Sequence, residues 1–138
     1  MARETFIDTS GFYSLLVKRD DRHEIARAFL LEAKKRRKRF VTSDYVLDET
    51  ATLLKVRGHA YLLRNFFASV LPSTACRVEW TDAARFAETV SRFLKYLDHD
   101  WSFTDCVSFQ VMSELRIRDA LTKDAHFEEA GFSALLGG

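Results

Sequence analysis

The segment 5–10, with the sequence TFIDTS, decides the fold prediction for this chain. Thr5, Phe6 and Ile7 form a short run of the kind that becomes a buried strand. The run ends on the carboxylate of Asp8, which is followed directly by two hydroxyl side chains. An apolar strand that ends in an acid near the middle of a protein is unusual, because an unpaired buried carboxylate is costly.

Strand-like and helix-like segments alternate along the rest of the sequence. After the first strand at 5–8, further strands are predicted at RFVTS (39–43), CRVEW (76–80), DALT (119–122) and FSALL (132–136). The first helices are predicted at 10–17, onward from a cap at Asp20 or Asp21, at 44–57 after a cap at Ser43, and at 60–71. Further helices are predicted after Thr81, where Phe86, Leu94 and Leu97 belong to an apolar stripe, at 102–117 with a cap at Ser102, and at 124–131. This alternation predicts an α/β fold, a single domain of residues 1–138 built as an α/β/α sandwich with a mostly parallel sheet of about five strands.

Composition narrows the class of protein. A chain of 138 residues with 47% hydrophobic and 30% charged residues is typical of one globular domain. No apolar run approaches the roughly 20 residues of a membrane helix, and the first strand begins within five residues of the start, so we expect neither a membrane segment nor a signal peptide. We interpret Cys76 and Cys106 as reduced thiols of a cytoplasmic protein. The net charge of +1 neither requires nor excludes a polyanionic partner.

Four acidic residues lie where a buried site is expected. Asp8 and Asp124 follow the first and fourth predicted strands, and open parallel sheets bind ligands beyond the carboxyl ends of their strands. On the 44–57 helix, at about 100° per residue, Glu49 falls inside the apolar arc while Asp48 points away. On the 102–117 helix, Asp105 shares its face with apolar residues four and seven positions further on, Phe109 and Met112.

Each acid also has a purely structural explanation. Asp8 and Asp124 could cap the helices that follow them, Asp105 could complete the S-x-x-D capping box that starts at Ser102, and Glu49 could reach a surface cation. Taken together, however, four inward carboxylates cost several kcal/mol each against a net stability of about 5–15 kcal/mol. The basic run KKRRKR at 34–39 would spread around its helix end, either as a solvated surface or as an RNA contact. A hard divalent cation therefore explains the four acids better.

The ordered set of motifs resembles a known family. FIDTS (6–10), SDYVLDET (43–50), SFTDCVSF (102–109) and ALTKDAHF (120–127) resemble the PIN-domain ribonucleases, and the chain looks especially like the VapC-type toxins of toxin–antitoxin pairs. The resemblance covers nearly the whole chain and implies a PIN-like domain. It also implies an endoribonuclease that cleaves single-stranded or loop RNA with a metal-activated water.

The resemblance implies a role for particular residues, a cofactor and partners. The metal ligands and catalytic acids would be Asp8, Glu49, Asp105 and Asp124, supported by the hydroxyls of Ser10 and Thr104. Candidate RNA contacts are Lys123, Arg57 and Arg116. The implied cofactor is Mg²⁺ or Mn²⁺, and the implied partners are an RNA substrate, a cognate antitoxin protein and a second copy of the chain, in the cytoplasm and away from membranes. His126 is expected to lie at the rim of the site, and Cys106 to be a packing thiol.

Other functions remain open at this point. A PIN fold could serve housekeeping RNA processing, or could have lost catalysis and act as a binding module. A phospho-acceptor signalling domain also gathers acids around Mg²⁺, but it needs an acidic pair after the first strand and an acceptor aspartate after a middle strand. Here Asp8 is followed by two hydroxyl residues, and the predicted strand at 76–80 ends without an aspartate. The sequence therefore favours the nuclease.

Overall fold

The structure, a computed structural model, describes residues 3–138 and contains one five-stranded sheet. The spatial order is β3-β2-β1-β4-β5, and all four neighbouring pairs are parallel. The strands are β1 (Glu4–Ile7), β2 (Arg39–Ser43), β3 (Cys76–Glu79), β4 (Asp119–Leu121) and β5 (Ser133–Ala134). The predicted α/β fold with a parallel sheet is therefore confirmed, and residues 1–2 of the predicted domain lie outside the described part.

Seven α-helices connect these strands within the described residues. They are α1 (Thr9–Leu16), α2 (His23–Lys35), α3 (Asp44–Val56), α4 (Leu63–Val70), α5 (Ala83–Lys95), α6 (Phe103–Leu115) and α7 (Ala125–Glu129). A 3₁₀ turn (Ala60–Leu62) precedes α4, so the helix predicted at 60–71 is divided into two pieces. None of the helices described in residues 3–138 is long and apolar enough to cross a membrane.

The first strand lies at the centre of the sheet. Phe6 is fully buried between its register partners, Val41 on β2 and Ala120 on β4. The next two strands in the chain, β2 and β3, lie on one side of β1, and the last two, β4 and β5, lie on the other side. Such a reversal opens a crevice at the carboxyl ends of the strands. Asp8, the residue after β1, lies at this crevice.

A glycine brings the first helix against the fourth strand. A Cβ atom on Gly11 would lie 2.0 Å from the carbonyl oxygen of Leu121, at the end of β4. Only a residue without a side chain allows α1 to approach the strand so closely. This approach brings the start of α1 beside the end of β4.

Two local predictions differ from the structure. Asp20 and Asp21 do not cap α2, which begins after Arg22 without a side-chain cap. The Asp20 carboxylate accepts from Ser14, from Lys123 and from the Arg22 amide, which lies just before the helix. The apolar stripe predicted on the helix after Thr81 is only partly buried. Phe86, Leu94 and Leu97 are 44%, 58% and 63% exposed, because α5 contacts the fold mainly through α6. Both cysteines are free thiols, as predicted, and Cys106 is buried.

Candidate active site

A cleft of about 240 Å³ opens at the carboxyl ends of β1 and β4. All four acids singled out from the sequence lie on its wall, although they come from distant parts of the chain. The lining residues are Asp8, Thr9, Ser10, Tyr13, Glu49, Leu53, Arg57, Asp105, Lys123 and Asp124. The cleft is therefore rich in oxygen ligands.

Asp8 is the most deeply buried of the four acids, with 6% of its surface exposed. It caps α1, because the Gly11 amide donates to its carboxylate at 2.9 Å. The hydroxyls of Ser10 and Thr122 also donate to it, at 2.9 and 2.8 Å. Burial raises the pKa of Asp8 to about 7, although these three hydrogen bonds oppose the shift. Asp8 therefore caps α1, as the structural explanation predicted, and also lies on the wall of the cleft.

Glu49 reaches the cleft from α3. The hydroxyl of Thr9 donates a hydrogen bond to Glu49 Oε1 at 2.6 Å. This contact ties the second acid to the residue that follows Asp8. Asp48, the preceding acid in the sequence, is exposed and does not line the cleft. The helical period therefore identified the inward acid of the pair correctly.

Asp105 is held at the first turn of α6. It forms the predicted capping box, since the Ser102 amide donates to Asp105 Oδ2 at 3.1 Å and the Asp105 amide donates to the Ser102 hydroxyl at 2.9 Å. The same Oδ2 lies 3.0 Å from Nδ1 of His126. Burial, with a smaller contribution from the charge of Asp124, raises the pKa of Asp105 despite these hydrogen bonds.

His126 contacts two of the acids from a position beside the residues that line the cleft. Its Nδ1 lies 3.0 Å from Asp105 and 3.4 Å from Asp124, which caps α7 through the His126 amide. Burial alone lowers the pKa of His126, but the hydrogen bond to Asp105 and the charges of both acids raise it above its ordinary value. In the sequence, only the position of His126 two residues after Asp124 indicated that its side chain would lie near the acids.

The supporting hydroxyls are not all those predicted. Ser10 donates to Asp8, lies 3.0 Å from the Thr122 hydroxyl and accepts from the Lys123 amide at 3.0 Å. Thr122, which sequence reasoning missed, also accepts from the Asp124 amide at 3.0 Å. Thr104 does not line the cleft, and the described hydrogen bonds use its carbonyl, which accepts from Ser108.

The three candidate RNA contacts differ in their positions. Arg57 and Lys123 line the cleft, but the Lys123 ammonium lies 2.8 and 2.9 Å from carboxylates of Asp20 and Asp21. Arg116 ends α6, eleven residues from Asp105, so about 16 Å of helix separates it from the site. The structure therefore brings Arg57 and Lys123 to the cleft and leaves Arg116 at the far end of α6.

The residues of the cleft suit a divalent cation. Single ligand atoms of Asp105, Asp124 and His126 lie within 4.8 Å of one another. The burial of Asp8 makes its ionised form unfavourable unless a positive charge is nearby, and a cation would supply that charge. Carboxylate oxygens are the preferred ligands of Mg²⁺ and Mn²⁺, and imidazole nitrogen is a common ligand of transition metals.

Comparison with known proteins agrees with this geometry. Residues 5–133 match the PIN domain family. The chain is 35% identical over 128 residues to the 23S rRNA-specific endonuclease VapC20 of Mycobacterium tuberculosis, in strain H37Rv and in strain CDC 1551, covering 92% of this chain and 94% of that protein.

A solved structure matches over the same extent. The crystal structure of Mycobacterium tuberculosis VapC20, described as a Sarcin-Ricin loop cleaving toxin, superposes with a TM-score of 0.82 at 31% identity. The alignment covers 93% of this chain and 95% of that one. The resemblance predicted from the sequence is confirmed, and the chain belongs to the PIN domain family, with VapC-type endonuclease toxins among its relatives.

Proposed function

We propose that this protein is a divalent-metal-dependent endoribonuclease, the toxin of a toxin–antitoxin pair. The observation that carries the proposal is the convergence of Asp8, Glu49, Asp105 and Asp124 on one cleft. Four carboxylates alone would repel the phosphate of a nucleic acid. A set of oxygen ligands that binds a divalent cation would attract it, because the cation reverses the sign of the local charge.

Mg²⁺ or Mn²⁺ would be held by Asp8, Asp105 and Asp124, with Glu49 and His126 beside them. When bound, such an ion supplies positive charge next to the scissile phosphate and makes a nearby water more acidic. The residues of the chain hold the ligands in position. Hydroxyl groups fix Asp8 and Glu49, and the imidazole and the capping box fix Asp105. Such supporting contacts orient ligands in metal sites generally.

RNA with unpaired nucleotides is the proposed substrate. An open cleft of about 240 Å³ next to Arg57 can accept a single strand, whereas the bases of an A-form duplex are inaccessible in its deep major groove. The VapC20 relatives act on 23S rRNA, and the solved relative cleaves the sarcin–ricin loop. A hairpin with the sequence of that loop is therefore the first substrate to test.

We also propose a cognate antitoxin, a homodimer and a cytoplasmic location. The toxin description of the VapC20 relative supports an antitoxin partner. The exposed apolar residues Phe86, Leu94 and Leu97 offer a surface for a protein partner. Light scattering of the purified chain tests the homodimer, and co-purification with the product of any small gene found to overlap it upstream tests the antitoxin.

The nuclease is tested by RNA cleavage in Mg²⁺ or Mn²⁺. We expect the natural chain to cut the hairpin, and we expect cutting to stop in EDTA. Asp8→Asn should reduce the rate by at least about 10³-fold, because the substitution keeps the shape of the side chain and removes its charge. Cutting that persists at the natural rate in both EDTA and Asp8→Asn would refute the proposed mechanism.

A further inference from the structure

The cleft continues from the acids along a groove between α1 and α3. Glu49, Leu53 and Arg57 follow one another at intervals of four residues and all line the groove, so one face of α3 forms one wall. Thr9 and Tyr13, at the same interval, line the wall formed by α1. The distance from Glu49 to Arg57 along the helix is about 12 Å. The far end of the groove is thus close to the acids but separate from them.

An aromatic cluster lies at this far end and consists of Tyr13, His59 and Tyr61. The Tyr13 hydroxyl lies 3.3 Å from His59 Nε2, and the Tyr61 hydroxyl lies 3.4 Å from His59 Nδ1. The imidazole stands edge to face with both phenol rings, at centroid distances of 5.8 and 5.9 Å. A neutral imidazole satisfies both contacts, because it has one donor and one acceptor nitrogen.

The turn that carries part of the cluster is fixed by the end of α3. Gly58 adopts a left-handed conformation, with φ of 82°. The His59 amide donates to the Leu54 carbonyl at 2.7 Å, and the Gly58 amide donates to the Lys55 carbonyl at 3.3 Å. These two bonds define a Schellman motif, which closes the helix in a single geometry. Arg57 and His59, on either side of Gly58, are therefore held in fixed positions.

Tyr61 is the exposed member of this cluster, Tyr13 and His59 are half-buried, and the cluster lies beside a free cation. Tyr61 is 73% exposed, and the Arg57 guanidinium lies 5.2 Å from the centre of the Tyr13 ring. Within residues 3–138, Arg57 makes no ion pair, in contrast to Lys123, whose charge is neutralised by Asp20 and Asp21. The far end of the groove therefore has positive charge and accessible aromatic surface.

A purely structural cluster would be buried. The neighbouring pair Phe12 and Phe66 also stands edge to face, at 5.2 Å, but these rings are only 5% and 2% exposed. The Tyr61 side chain is mostly exposed, so burial stabilises it little, yet it is held against His59. An exposed ring held in place next to a cation is the arrangement on which proteins stack unpaired bases.

We propose that Tyr13, His59, Tyr61 and Arg57 form a subsite for an unpaired nucleobase of the RNA substrate. This inference rests on the proposed nuclease function and adds where a nucleotide near the cleaved phosphodiester is bound. The base stacks on the exposed ring of Tyr61, and the Arg57 guanidinium contacts the adjoining phosphate. Stacking is indifferent to base identity, so the subsite selects for unpaired nucleotides and against duplex.

Binding of a short single-stranded RNA with 2-aminopurine at successive positions tests the subsite. Binding is measured in the Asp8→Asn protein to prevent cutting, by fluorescence quenching and anisotropy. Adding Tyr61→Ala should weaken binding by about 5- to 150-fold and abolish quenching at one position. Adding Tyr61→Phe should leave affinity and quenching within about twofold, because the ring is kept. An RNA without a base at the quenched position should bind equally to the Ala and Phe variants.

Trp80→Ala is the matched control, because Trp80 is another exposed aromatic residue and lies away from the groove, at the β3 edge. It should leave RNA binding unchanged. Equal affinity and quenching in the parent, Tyr61→Ala and Trp80→Ala proteins would overturn the subsite, while cleavage by the chain with Asp8 intact would leave the nuclease standing. An Asp8→Asn protein that does not bind RNA, together with a natural chain that does not cut it, would overturn both proposals.

Discussion

Two hollows of this molecule differ in chemistry more than in size. The larger, of about 410 Å³, lies at the β3 edge of the sheet and is lined by residues such as Leu71, Arg77 and Trp80. The smaller, of about 240 Å³, lies at the ends of β1 and β4 and contains four acids. Buried carboxylates are destabilising unless they bind something. Volume is therefore a weaker indicator of function here than the cost of the side chains on the wall.

The cost of burying the Asp8 carboxylate predicts how the free energy of unfolding depends on pH. This is the largest effect that we expect. The unfolded Asp8 ionises near 3.8, and the folded one near 7. Between these values the folded state binds the proton more tightly, so the free energy of unfolding falls as pH rises. Without metal, we expect Asp8 to contribute a loss of at most about 4 kcal/mol between pH 4 and pH 8.

Urea unfolding in EDTA, at about pH 5 and about pH 8, measures this slope. The pKa values of Asp105 and His126 are also raised above their ordinary values, so the relevant quantity is the difference between the natural chain and Asp8→Asn. The natural chain should lose more stability than Asp8→Asn as pH rises. If the free energy of unfolding changed equally with pH in the two proteins, the cleft would not raise the pKa of Asp8.

The two neighbouring acids of α3 provide the next test. Glu49→Gln should reduce RNA cleavage by about 10²-fold, because it removes a charge from the cleft, whereas Asp48→Asn should change the rate by less than about twofold. The two variants are compared by their RNA cleavage rates at saturating Mn²⁺. Similar losses in both variants would mean that long-range charge, and not position in the cleft, determines the effect.

Thr122 tests whether supporting contacts matter. Thr122→Val keeps the shape but removes the hydroxyl that donates to Asp8 and accepts from the Asp124 amide. We expect about a 10-fold loss in Mn²⁺ affinity, as is common for contacts that orient metal ligands. Thr122→Ser should restore most of it, measured by calorimetry. A valine variant with natural affinity would show that Asp8 needs no such support.

The smallest effect is expected at the other hollow. Trp80 is 63% exposed at the β3 edge, so Trp80→Ala should change the unfolding free energy by no more than about 0.5 kcal/mol. The RNA cleavage rate should stay within about twofold of that of the natural chain, because no acid of the cleft contacts this edge. A larger loss of cleavage would make the β3 hollow part of the functional surface.

Local patterns were sufficient to predict much of the fold and part of the site. The end of β1 indicated Asp8, and the helical period separated Glu49 from Asp48. The structural and functional explanations of the acids were compatible, since Asp8, Asp105 and Asp124 all lie at helix starts. Helix starts offer free amides and a favourable dipole, so they suit carboxylates near a metal site.

Contacts across the chain could not be predicted in the same way. Thr122 and Asp8 are 114 residues apart, and they meet because Ile7 pairs with Leu121 in the β1–β4 register. No periodicity within one segment specifies that register. Lys123 is similar, because its two acidic partners lie just over 100 residues away in the loop before α2. Sequence reasoning therefore found the charges and their local partners, such as Ser10 and Ser102, but not the partners that come from distant parts of the chain.

The most direct test of the account is Mn²⁺ binding near neutral pH, measured by isothermal titration calorimetry. The natural chain and Asp48→Asn should bind Mn²⁺ saturably with the same affinity. Asp8→Asn should bind at least about 10-fold more weakly while remaining folded. Equal Mn²⁺ affinity in Asp8→Asn and the natural chain, or no saturable binding in either, would contradict the claim that the acids converge to hold a divalent ion.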